Sequence, residues 1–291
     1  MKKNNPYLYL IPSFLVIFLV IFVPLFYALF ISFIDLSKNV NKLSNPDLWN
    51  FIGFKNYMDV IKGEFFWKSL GRTLYFTITS VGFEFIIGLS IALLLNEKFK
   101  GRGLVRGLML IPWAFPTIVS AVLWRWMYDS NNGTITNLLD KLGIHGLNIL
   151  GSGFSAMNAI IIADVWKNTA FIALILLAAL QALPISAYEA AKVEGASAFY
   201  RLRKITLPLL SSAILVALVM RTMEAFKVFD IIYIMTGGGP AGGTQVLSFY
   251  TYSSSMMSGN FSYGASISFL MSGFIMVFAL IYIKILYRNV D

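Results

Sequence analysis

The sequence predicts an all-α integral membrane protein with six transmembrane helices, and three observations carry that expectation. Hydrophobic residues make up 58 % of the 291 residues and charged residues only 13 %, with a mean hydropathy of +0.73; an ordinary soluble domain is far more polar. Six runs, roughly 8–34, 72–96, 105–128, 156–182, 207–232 and 263–285, are apolar over the length needed to cross a bilayer, which takes about twenty residues of helix. Lysine and arginine are, finally, distributed unevenly among the connections between those runs.

The first run follows Lys2 and Lys3 as a secretory signal would. It is too long for a signal core and no small-x-small cleavage pattern follows it, so it reads as a retained span. The connection after it, about 35–70, contains NPDLWNFIGFKNYMDVIKGEFFWKSL, whose mixed aromatics and charges suit a short helix lying at the membrane interface. Residues 71–285 then form the core of a single transmembrane domain spanning 1–291, interrupted by one hydrophilic connection at 183–208.

Basic residues orient this arrangement. Lys2, Lys3, Lys98, Lys100, Arg102, Arg106, Lys192, Arg201, Arg203, Lys204, Lys284 and Arg288 fall on one side, against Lys38, Lys42, Lys55, Lys62, Lys68, Arg72 and Lys141 on the other. The positive-inside rule places the richer side, and with it both termini, in the cytoplasm. The net charge of +9 is then a property of cytoplasmic connections and not the footprint of a nucleic-acid-binding face.

Several chemistries are excluded or unsupported. With no cysteine in the chain there are no disulfides and no thiolate metal sites. The single histidine, His145, lies between Gly143 and Gly146 and reads as a solvated turn residue. Gly237, Gly238 and Gly239 have no GK[ST] after them and no strand before them, so they form no phosphate cradle.

Charges inside the spans require explanation, because a central ionised side chain costs roughly 2.5–3.5 kcal/mol on insertion. RTMEAFKVFD places Arg221, Glu224, Lys227 and Asp230 at successive i, i+3 positions of alternating sign, where neighbours neutralise one another. Asp164 and Lys167 form a further i, i+3 set. Glu84, in VGFEFIIGLS, has no basic residue within one turn and needs a partner from another helix, water or a proton. Glu84, Glu224 and Asp230 are therefore candidates for the lining of a substrate path. Trp113, Phe115, Trp166, Phe229 and Tyr233 are candidate aromatic walls, since ring faces stack on sugars, although aromatics in spans also serve simply as packing.

The hydrophilic connection has its own architecture. Ser186 and Glu189 have the S-x-x-E spacing of a capping box, predicting a helix that begins after Ser186. Gly195 is placed to end it. Ser197 then caps a second short helix through Ala198, Phe199, Tyr200 and Leu202, until Pro208 marks entry to the next span. The alanines Ala190, Ala191 and Ala196 permit close approach of another surface, with Glu189, Glu194, Arg201 and Arg203 around them.

EAAKVEGASAFYRLRKITLPLL closely resembles the EAA loop of the permease subunits of binding-protein-dependent ABC importers. Glu189, Ala190, Ala191, Gly195, Ala196, Leu207 and Pro208 match the pattern, and Glu194 stands where an aspartate is usual. Four further segments, FIGFKNYMDV, IPWAFPTIVSAVLWRWMYD, ADVWKNTAFIALILLAALQALP and FKVFDIIYIMTGGGPAGGTQVLSFYTY, are similar to the sugar-permease branch of that family, which includes maltose, multiple-sugar and glycerol-phosphate permeases. The resemblance implies a type I ABC importer permease fold in a bacterial cytoplasmic membrane. It implies that Glu189, Ala190, Ala191, Glu194, Gly195, Ala196 and Arg201 couple to a cytoplasmic ATPase. It also implies a second, related permease subunit, two ATP-binding subunits and an extracytoplasmic solute-binding protein, with ATP and Mg used by the ATPase and no cofactor bound by this subunit. The expected cargo is an oligosaccharide. Arg221 and Lys227 would equally suit a sugar phosphate, and a proton-coupled secondary transporter using Glu84 or Asp164 is the alternative from another class.

Overall fold

The computed structural model describes residues 7, 10–36, 45 and 49–287; Lys2, Lys3, Lys38, Lys42 and Arg288 of the charge distribution lie outside the described residues. In chain order the elements are α1 (Ile11–Ser32), β1 (Ile34–Asp35), β2 (Asn50–Phe51), α2 (Lys55–Lys62), α3 (Glu64–Asn96), α4 (Arg102–Ala114), α5 (Thr117–Met127) and α6 (Thr134–Lys141). They continue with α7 (Gly153–Gln181), α8 (Ile185–Val193), α9 (Ala198–Leu209), α10 (Ser211–Phe226), α11 (Asp230–Met235), α12 (Leu247–Tyr252) and α13 (Phe261–Tyr287). Among the described residues four helices, α1, α3, α7 and α13, are long and apolar enough to cross a membrane, and up to six do so if α4 with α5 and α9 with α10 each count as one span.

Those two pairs correct the sequence expectation of continuous helices at 105–128 and 207–232. The first is bent by 92°, and the break falls where Pro116 follows Phe115. Proline offers no N–H to the preceding turn and forces its predecessor out of the helical region; Phe115 is accordingly extended, at φ −69° and ψ 138°. The second pair is bent by 70°. Pro208 cannot donate to Lys204, the backbone of Leu202–Thr206 widens into a π turn, and the helix axis turns at Leu210. The helix then stops at Phe226, short of the expected 232, because α11 begins separately at Asp230. In the other direction α3 starts at Glu64 and not at 72; its 33 residues span about 50 Å at 1.5 Å each, well beyond a hydrocarbon core of about 30 Å.

The chain divides into two compact units. In the unit of residues 1–68 and 250–273, β1 and β2 pair antiparallel with Ile34 opposite Phe51. The end of α1 leaves carbonyls without helical partners, and the Asn56 amide of α2 satisfies one of them, donating to the Ser32 carbonyl at 2.8 Å and to the Ile34 carbonyl of β1 at 3.1 Å. Ser262 accepts from the Leu36 N–H at 3.2 Å.

The unit of residues 69–249 and 274–291 is organised around α7, which packs against α4, α5, α10 and α11. One apolar cluster gathers Phe76, Ile160, Ile232 and Phe249, and a second gathers Leu95, Ile172, Leu176 and Leu210. Helices α3 and α7 touch closely at Gly88, where a Cβ would stand 3.1 Å from Ile172 Cγ2 and 3.2 Å from the Ala173 nitrogen. Small residues let helix backbones approach in lipid, where packing and not water drives association.

Candidate functional site

The hydrophilic connection folds as helix, glycine turn, helix. Its first helix does not use the capping box: Pro184, with φ −67°, occupies the cap position and α8 starts at Ile185, so Ser186 falls inside the first turn and makes no capping bond. Proline's fixed φ suits a helix start, and here it moves that start one residue ahead of the serine. The far end follows expectation. Gly195 takes φ +76°, a left-handed conformation that glycine adopts without strain, and the Ala196 N–H then donates back to the Ala191 carbonyl at 2.9 Å. Ser197 Oγ accepts from the Tyr200 N–H at 3.2 Å and caps α9.

Side chains close this module on itself. Arg201 donates through Nη1 to the Ala196 carbonyl at 2.6 Å, and Tyr188 Oη donates to Thr206 Oγ1 at 3.0 Å, which reaches the Arg201 carbonyl at 3.3 Å. Glu189, Ala190, Glu194 and Gly195 are exposed, Ala196 and Arg201 half-buried, and Ala191 buried. Two apolar side chains project from it: Val193 is 89 % and Phe199 70 % exposed.

Deep in the second unit lies a cluster of charges drawn from three helices. Arg221 of α10 meets Glu84 of α3 with both arms of its fork, Nε to Oε2 at 2.5 Å and Nη2 to Oε1 at 2.9 Å, and Nη2 also donates to Asp164 Oδ2 of α7. All three are buried. Asn168 donates to Asp164 Oδ1 at 2.8 Å, and Glu224, whose side chain is exposed, stands 3.8 Å from Arg221 Nη1. Arg221 thus turns mainly to other helices, where the spacing alone had paired it with neighbours on its own. Asp164 and Lys167 also part company: Lys167 Nζ donates to the Trp113 carbonyl at 3.4 Å. That carbonyl has lost its helical acceptor role because α4 ends at Ala114, and a cation there also complements the helix dipole.

Beside this cluster is a cleft of 720 Å³ between α3, α4, α5 and α7, walled by Phe83, Ile87, Pro112, Trp124, Val165 and Trp166. Trp124 and Trp166 meet edge to face, their ring centroids 5.7 Å apart. Of the residues singled out for a substrate path, Trp166 lines this cleft. Trp113 and Phe115 lie at the α4–α5 break and are partly exposed, with Trp113 stacked on Phe171. Phe229 and Tyr233 stack with one another at 5.4 Å; Phe229 also stacks on Phe249, which Tyr233 meets at a tilt. Glu224 and Asp230 are exposed, and Glu84 is occupied by Arg221. Beyond the cleft, the loop of Gly237–Thr244 is closed by Thr244, whose hydroxyl meets Thr236 Oγ1 at 2.7 Å and the Gly239 carbonyl at 2.8 Å.

Residues 84–291 match the family described as binding-protein-dependent transport system inner membrane component. The trehalose/maltose transport system permease protein MalF of Thermococcus litoralis is 47 % identical over 235 residues, 81 % of this chain and 79 % of its own. The trehalose transport system permease protein SugA of Mycobacterium tuberculosis is 38 % identical over 250 residues, 86 % of this chain and 80 % of its own. The fold is that seen in the crystal structure of a bacterial ABC transporter involved in the import of the acidic polysaccharide alginate, with a TM-score of 0.82 at 22 % identity over 97 % of this chain and 94 % of that one. Apolar spans, a self-closed hydrophilic module and sequence likeness over most of its length lead to one conclusion: the chain is a multi-pass membrane permease subunit and belongs to the family of binding-protein-dependent transport system inner membrane components.

Proposed function

We propose that this chain forms half of the translocation path of an ATP-driven carbohydrate importer, with a neutral oligosaccharide as cargo. With each bent pair counted as one span, its six spans leave both termini in the cytoplasm. The observation that carries the coupling role is the module of α8 and α9, which is satisfied internally yet holds Val193 and Phe199 out in solvent. Exposed apolar side chains on a module that is otherwise bonded to itself suit burial against a partner. A cleft on a cytoplasmic ATPase receives them, with Glu189, Ala190, Glu194 and Gly195 on the contacting face and Ala191, Ala196 and Arg201 holding its shape.

The relatives named for trehalose and maltose support the choice of cargo, and the ring faces of Trp124 and Trp166 give the cleft a surface on which a sugar stacks. Tyr233, Phe229, Trp113, Glu224 and Asp230 extend the path beyond it. Partners are a second permease subunit, two ATPase subunits that bind ATP and Mg, and an extracytoplasmic solute-binding protein.

The test is to co-purify the complex from membranes and measure uptake of labelled sugar into vesicles. Phe199→Ala and Glu189→Ala should each lower recovery of the ATPase with the permease by about tenfold, as for a residue central to an interface, while the permease itself stays inserted. Wild-type recovery and uptake in both variants would end the docking claim, and a binding protein that retains a sugar phosphate would replace the neutral cargo.

A further inference from the structure

The charge cluster is a peculiar way to join helices in a membrane. Apolar helix contacts in lipid lack a hydrophobic driving force and shift at little cost, whereas an arginine fork holding a buried carboxylate has a fixed planar geometry. Opening it strands ionised groups out of water. Arg221 makes such a contact with Glu84 and shares a second with Asp164, so α3, α7 and α10 are tied at a single guanidinium.

The position of that tie relates the two working parts of the molecule. Helix α10 continues from the module through the bend at Leu210, and Arg221 lies ten residues past Ser211, about 15 Å along the axis. On the other side, Glu84 directly follows Phe83, and Asp164 directly precedes Val165 and Trp166, all three of which wall the cleft. Lys167, one turn on from Asp164, reaches the end of α4 at Trp113. A displacement entering α10 from the module therefore reaches, at Arg221, a rigid joint to both cleft-bearing helices.

We propose that Arg221 is the positioning residue that makes α3, α7 and α10 move as one body, so that motion of the coupling module reshapes the cleft. The proposal rests on the reading of α8 and α9 as the ATPase-docking module. It assigns Glu84 and Asp164 to this joint, not to proton carriage.

The chain has no cysteine, so Ile86→Cys on α3 and Val216→Cys on α10, both exposed positions, supply the only spin labels on this subunit, which is assembled with partner subunits whose own cysteines have been replaced. Their separation should be the same with and without ATP when Arg221 is present. In a chain also carrying Glu84→Gln, Asp164→Asn and Arg221→Gln, which removes the three buried charges of the joint together and leaves only the exposed Glu224 without its arginine, the separation should change on ATP binding. Arg221→Lys keeps one charge but loses the fork; it should lower maximal uptake by about tenfold with KM unaltered, and raise the ATP consumed per sugar by a similar factor, a coupling loss of ordinary size for an allosteric contact. A separation that already changes in the wild type, or wild-type uptake and stoichiometry in the triple-neutral chain, overturns the proposal. Loss of ATPase recovery confined to Glu189→Ala and Phe199→Ala reports on docking, and the label separation reports on the joint, so each reading fails by its own measurement.

Discussion

Helices α1 and α7 are built by opposite rules. The best window of α1 has a mean hydropathy of 3.0 and is 6 % buried, whereas that of α7 reaches only 1.9 and is 67 % buried. In a water-soluble protein the more apolar helix would be the inner one. Here lipid is the solvent, so a helix facing it needs an unbroken apolar surface, and a helix surrounded by protein is free to carry Asp164, Lys167, Asn168 and Thr169, provided that each finds a partner. Polarity, not hydrophobicity, marks the inner helix of the unit built on α7.

That contrast predicts where stability is concentrated. The largest effect should come from Arg221→Met, which leaves Glu84 and Asp164 facing one another without a cation. Breaking a buried charge set by removing one member costs about 3–5 kcal/mol, read as a fall in the denaturation midpoint of the purified permease in mild detergent. Restoring neutrality by adding Glu84→Gln and Asp164→Asn should recover most of the loss. If the single variant were as stable as the wild type, the interior of this unit would not depend on its polar groups.

The next comparison makes the same deletion in both helices. Ile172→Ala in α7 removes a fully buried side chain from contact with α3. The unfolded reference in a membrane keeps that side chain in lipid, so the transfer cost largely disappears and the cavity term remains, about 2 kcal/mol. Leu19→Ala in α1 removes a side chain that is 55 % exposed and should change the midpoint by less than about 0.5 kcal/mol. Equal losses in the two would mean that α1 is held as tightly as α7.

The same contrast explains what was legible in the sequence. Spans are written residue by residue in hydropathy, and every expected run overlaps an observed helix. Breaks are not written so plainly: Pro116 and Pro208 are visible, but membrane helices tolerate proline as a kink, and only the observed bends of 92° and 70° distinguish a break. The Gly195 turn and the Ser197 cap depend on a few adjacent residues and were readable. The Ser186 capping box failed because Pro184 initiates the helix first. For Glu84 the need for a distant partner was evident, but the partner was not, because Arg221 lies 137 residues away and spacing reveals only neighbours on one helix. The signal available was depth: Glu84 and Arg221 lie near the middle of the apolar runs 72–96 and 207–232, and Asp164 lies inside a third, 156–182.

The smallest expected effect sharpens the comparison from outside the membrane. Asp129, in the turn after α5, has no cation partner among the described residues. Its Oδ1 accepts from the backbone N–H of Asn132 at 2.9 Å and of Asn131 at 3.0 Å, and these two bonds, the Asn132 bond first, hold its carboxyl below the ordinary aspartate range. A carboxyl whose folded-state value is depressed adds stability that is fully present above its unfolded value, about 3.9, and is lost as pH falls through the folded one. The group is fully exposed, so water screens the effect and it stays small. Asp129→Ala should thus be slightly less stable than the wild type near neutrality, with the gap closing as the medium is taken below about pH 4. Paired denaturation curves of the two chains across that range provide the measurement. A gap that widens toward acid would show that the Asn131 and Asn132 N–H groups do not favour the ionised carboxylate, and that even an exposed turn in this protein needs a counter-charge of the kind found at Arg221.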